Sequence, residues 1–67
     1  MGYSYRTGKS LGFYRCYSVD THGLKGQFWN FMAQSDTEAW VLARHVQYVH
    51  AWKKIELWEQ FRQLEIP

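Results

Sequence analysis

The sequence predicts a small α+β fold: an antiparallel β-hairpin or three-stranded sheet packed on one capped helix, followed by a C-terminal amphipathic segment. Three observations carry that expectation. All five glycines fall within residues 1–26, where they punctuate turns. A helix start is written into Ser35-Asp36-Thr37-Glu38. Nothing after it breaks a helix, because the only proline is Pro67.

Residues 3–6 suit a short leading strand that turns at Gly8-Lys9. Phe13-Tyr14-Arg15-Cys16-Tyr17-Ser18-Val19 is rich in aromatic and other β-favouring residues. Asp20-Thr21-His22-Gly23-Leu24-Lys25-Gly26 reads as a loop whose two glycines can take positive φ. Gln27-Phe28-Trp29-Asn30-Phe31-Met32-Ala33 is a second strand. Alternation puts Trp29, Phe31 and Ala33 on one of its faces, and Phe28 and Met32 on the other. A hairpin is the simplest joining of the two strands.

Ser35 and Glu38 form a capping box: the hydroxyl caps the first turn and the carboxylate reaches back. Asp36 and Glu38 also suit the positive end of the helix dipole. Ala39, Leu42, Ala43 and Val46 then recur as an i, i+3, i+4, i+7 stripe, which predicts a helix over about residues 36–48. Beyond a bend near His50-Ala51 two expectations compete. Glu, Lys, Gln, Arg and Leu favour a second helix by propensity. The alternation in Lys54-Ile55-Glu56-Leu57 fits a returning strand.

Sixty-seven residues allow one domain, spanning 1–67. Such a chain buries only about 60% of its unfolded surface. A composition 46% hydrophobic and 21% charged is not that of a disordered tail. The lone Cys16 forms no internal disulfide and suits a reducing compartment. No run of about 20 apolar residues exists, so no membrane span is expected. The opening Met1-Gly2-Tyr3-Ser4-Tyr5-Arg6 lacks a signal-peptide core, and Arg6 stands where a myristoylation signal needs Ser or Thr. The expected address is cytoplasmic.

The net charge of +2 is unevenly spread. Residues 1–30 hold four cations (Arg6, Lys9, Arg15, Lys25) against Asp20 alone, and residues 31–67 hold four cations against five anions. The front is thus a basic, aromatic face candidate, and the back resembles a solvated helix surface.

The usual chemical motifs are incomplete. Gly8-Lys9-Ser10 has the end of a phosphate loop, but Tyr3 stands where that motif needs glycine. His22, His45, His50 and Cys16 show no metal-ligand spacing. A Cys16–His22 pair lacks an orienting group and an oxyanion hole. The expectation is therefore no catalytic residue, no metal and no cofactor.

Surplus aromatic surface is the feature that points to function. The chain has four Trp, five Tyr and four Phe. Trp and Arg dominate interface hot spots, so Trp29, Trp40, Trp52 and Trp58 are candidate anchors for a protein partner, with Arg15 and Arg44 as polar contacts. Self-association would also help so small a core. The alternative is single-stranded nucleic acid. Tyr14, Tyr17, Phe28 and Trp29 would stack bases, and Arg6, Lys9, Arg15 and Lys25 would hold phosphates.

Two resemblances bear on that choice. Lys25-Gly26-Gln27-Phe28-Trp29-Asn30-Phe31 resembles the Lys-Gly-Phe-x-Phe strands of RNA-recognition and cold-shock modules, with Gln27 and Trp29 displacing their spacing. The strand-to-helix join Ala33-Gln34-Ser35-Asp36-Thr37-Glu38-Ala39 resembles that of small ββα phage-encoded early proteins that inhibit host machinery. It is also similar to the join of an archaeal ribosomal-protein module. The phage resemblance implies a protein-docking inhibitor or adaptor; the ribosomal one implies RNA. With near-neutral charge, protein docking is the leading expectation.

Overall fold

A computed structural model describes residues 11–66. They form two strands, a helix and two more strands: β1 (Gly12–Val19), β2 (Lys25–Ala33), α1 (Asp36–His50), β3 (Ile55–Glu59) and β4 (Arg62–Gln63). The strands make one four-stranded antiparallel sheet in the order β2-β1-β3-β4. The proposed leading strand lies outside the described residues. Among the described residues no helix is long and apolar enough to cross a membrane.

β1 and β2 join through a tight loop organised by Asp20. Its Oδ1 accepts from the backbone N–H of His22 at 2.8 Å and of Leu24 at 2.9 Å. Gly23 supplies the positive φ, +79°, that this turn needs. Gly26 does not share that role: it lies within β2, and a Cβ there would sit 3.1 Å from Ser18 Oγ. The β1–β2 register slips between Tyr17 and Val19, opposite that end of β2.

The helix begins as its residues specify. Ser35 Oγ accepts from Glu38 N at 3.1 Å, and Glu38 Oε1 accepts from Gln34 N at 2.6 Å. It ends at Ala51, which adopts the left-handed conformation (φ 57°, ψ 35°) and donates its N–H to Gln47 and Tyr48 carbonyls.

The segment after the helix is a strand pair, so the expected second helix is corrected. Ile55 and Leu57 are buried while Glu56 and Trp58 are half-buried, a period of two. β3 pairs with the edge of β1 that the hairpin leaves free, from Tyr14↔Glu59 to Ser18↔Ile55. That pairing outweighs the helical propensity of Glu, Lys and Leu. Gln60 turns the chain at φ 55°, and β4 follows.

Helix α1 covers one face of the sheet. Tyr14, Cys16, Ala33, Ile55 and Leu57 meet Ala39, Trp40 and Ala43 there, with Leu64 closing one end. Trp40 is the second correction. The stripe alone points it away from the core, yet it is only 7% exposed. The β3–β4 hairpin and the following Leu64 extend the core past the arc that a two-stranded sheet would cover. Val41, beside it, stays exposed.

Candidate ligand-binding face

Among the described residues, no helix lies over the opposite face of the sheet. Strand alternation delivers Phe13, Arg15 and Tyr17 from β1, and Phe28, Asn30 and Met32 from β2, to this face. Glu56 and Trp58 join them from β3. The registers Arg15↔Asn30, Arg15↔Trp58, Tyr17↔Phe28 and Tyr17↔Glu56 arrange them in rows across three strands.

Cations and rings interleave along these rows. The Arg15 guanidinium lies 4.2 Å from the Phe28 ring centre and 5.8 Å from that of Tyr17. Its Nε donates to Asn30 Oδ1 at 2.7 Å, which fixes the guanidinium plane. Lys25 Nζ lies 5.4 Å from the Tyr17 ring centre and 5.0 Å from that of Trp58. It also approaches Glu56 Oε1 at 3.8 Å, and the same oxygen accepts from Trp58 Nε1 at 3.1 Å. Tyr17 and Phe28 meet edge to face at 6.0 Å. Such cation–ring contacts contribute about 0.5–1 kcal/mol each at exposed sites. Arg15, Tyr17, Lys25, Asn30 and Trp58 line an open trough of about 1030 Å³ that runs to Gln60 and Phe61 at the β3–β4 turn.

Two other clusters lie elsewhere. At the end of α1, the His50 ring sits between Trp29 (5.5 Å) and Trp52 (4.8 Å, stacked), and its Nδ1 is 3.0 Å from Val46 O. At the start of α1, Asp36 accepts from Tyr14 Oη at 2.8 Å and is held by both terminal nitrogens of Arg62 at 3.0 and 3.1 Å. That hydrogen bond raises the Arg62 pKa further above its ordinary value. Arg62 also pairs with Glu59.

The tryptophans expected to act as one set of anchors are scattered over the molecule. Trp40 is in the core, so it is corrected as an exposed anchor. Trp29 and Trp52 flank His50 on the helix side. Trp58 and Arg15 lie on the open face, and Arg44 lies on the outer surface of α1, 5.5 Å from the Trp40 ring. The nucleic-acid candidates divide differently. Arg6 and Lys9 lie outside the described residues. Tyr14 is corrected: it is buried at 2% exposure under the helix. Trp29 is corrected too, because its strand position turns it to the helix side. Arg15, Tyr17, Lys25 and Phe28 converge on the open face. Sequence reasoning did not place Asn30, Glu56 or Trp58 with them. The alternation of Glu56 and Trp58 with buried Ile55 and Leu57 was the available signal.

Among the described residues no three of His, Cys, Asp and Glu gather as metal ligands would. Cys16 lies fully buried at the sheet centre, and burial pushes its thiol up to about 11. No family model matches the chain, and no curated protein or solved structure is significantly similar to it.

Proposed function

We propose that the protein is a non-enzymatic binding module whose open sheet face takes single-stranded nucleic acid. The observation that carries this is the interleaving of Arg15 and Lys25 with Tyr17, Phe28 and Trp58 on one helix-free face. Rings there can stack on bases, and the two cations beside them can hold backbone phosphates. A cytoplasmic setting belongs to the same proposal and rests on the lone Cys16.

The test is a titration of labelled oligouridine and oligothymidine with the full chain, at low and high salt. Affinity should fall with salt with a slope of about −0.7 per engaged phosphate contact. Arg15→Ala and Lys25→Ala should each flatten that slope by one such contact. Phe28→Ala should weaken binding by about 1–3 kcal/mol. Absence of oligonucleotide binding at low salt, or binding that ignores all three substitutions, rejects the proposal.

A second reading is favoured by the apolar end of the same face. Phe13 and Met32, paired across β1 and β2, are exposed there, and Phe61 is exposed at the β3–β4 turn. Exposed apolar surface of this kind suits a protein partner, as an inhibitor or adaptor would require. A stoichiometric protein partner that survives nuclease and high salt, and is lost in Phe13→Ala, supports it over nucleic acid.

A further inference from the structure

The two edges of the sheet differ sharply. One edge is β4, two residues long. The other is β2, nine residues long, whose outer side meets no strand among the described residues. Short edges resist pairing with another chain; long straight ones invite it. Among the described residues the usual protections are missing from β2. Gly26–Ala33 contains neither a charged residue nor a proline, and the irregularity near Tyr17 lies at the far end from Ala33. Exposed apolar side chains stand on both faces of this edge: Phe28 (49%) and Met32 (47%) on the open side, Trp29 (50%) on the helix side.

We propose that β2 pairs with β2 of a second copy of this chain, antiparallel, about a two-fold axis normal to the sheet. Such an axis keeps both helices on one side and makes one eight-stranded sheet. The charges favour that partner. The central stretch is uncharged, so two copies meet without like charges opposed. Antiparallel pairing brings the Lys25 end of one β2 beside the partner's Ala33, so the two lysines lie at opposite ends of the seam. Strand pairing also satisfies the outward backbone groups of β2 while shielding Phe28, Trp29 and Met32 from both sides. The inference is independent of nucleic-acid binding, although the pairing would join the two open faces into one.

Sedimentation equilibrium of the full chain across about two decades of concentration, without nucleic acid, tests it. The expected mass rises from 8.1 kDa to twice that value. Trp29→Lys and Met32→Lys should each hold the chain at monomer mass while the helical circular dichroism signal is kept. They are placed on opposite faces, so a folding defect in one leaves the other as the test. Amide exchange adds a positional readout: alternate β2 amides should slow as the wild-type concentration rises, and not in the variants. A monomer at every concentration overturns the proposal. So does a dimer that survives both substitutions, or one that leaves the β2 amides unprotected. Because the sedimentation and exchange measurements contain no nucleic acid, while the salt slope is read from the oligonucleotide titration, the two proposals fail separately.

Discussion

The hydroxyl of buried Tyr14 donates to Asp36 Oδ1 at 2.8 Å, fastening the middle of the central strand to the first turn of the only described helix. Asp36 is held from outside by Arg62 as well. A carboxylate at a helix start thereby links β1, α1 and the β3–β4 hairpin.

Tyr14→Phe removes that link without opening a cavity. A hydrogen bond to a charged acceptor contributes about 1.5–3 kcal/mol, and Arg62 retains part of the carboxylate's satisfaction, so a loss of about 1–2 kcal/mol is expected. For a chain of this size the melting temperature should fall by roughly 4–8 °C per kcal/mol. Thermal unfolding of the two proteins side by side is the check, and an unchanged midpoint would contradict the linking role.

Ala51 holds a backbone conformation that glycine adopts without strain. Ala51→Gly should therefore stabilise the protein by about 0.5–1 kcal/mol, less than the full left-handed penalty because glycine also loses more entropy on folding. Ala51→Val should destabilise it. Urea midpoints for the three forms should rank Gly above Ala above Val; any other order rejects strain at this cap.

Cys16 links stability to alkaline pH. Its thiol is raised from the ordinary 9.0 to about 11 by burial, so the folded chain keeps this proton where the unfolded chain releases it. The contribution is complete below pH 9 and is lost as pH rises toward 11. The stability gap between the wild type and Cys16→Ala should therefore shrink by up to about 2 kcal/mol over that interval. Below pH 9 the gap should be flat. A thiol reagent should label the native protein far more slowly than the unfolded chain, since the thiolate is the reactive form.

Local signals in the sequence proved readable where they were self-contained. Ser35 and Glu38 cap the helix within a four-residue window, and alternation assigned Phe28 and Met32 to the opposite face from Trp29. The same rule puts Arg15 and Tyr17 on one face of β1. The C-terminal hairpin was less legible because Glu56, Leu57 and Glu59 are helix formers in isolation. They become a strand because β1 offers a free edge some forty residues earlier in the chain. Trp40 followed from the same gap, since how much of a helix is buried depends on how wide the sheet beneath it grows. Trp58 could join Arg15 and Lys25 on the open face only once that long-range register was known.

The position of β1 between β2 and β3 also orders events in time. Its first partner follows after a five-residue loop, so that hairpin can close early. Its second partner ends at Glu59, most of the way along the chain. While the polypeptide is being made, the edge of β1 that pairs with β3 stays open until Ile55–Glu59 emerge. Premature termination before that point would release a chain with two open strand edges and an uncovered core. The β3–β4 hairpin therefore decides whether a nascent chain becomes a finished sheet or a substrate for aggregation and proteolysis.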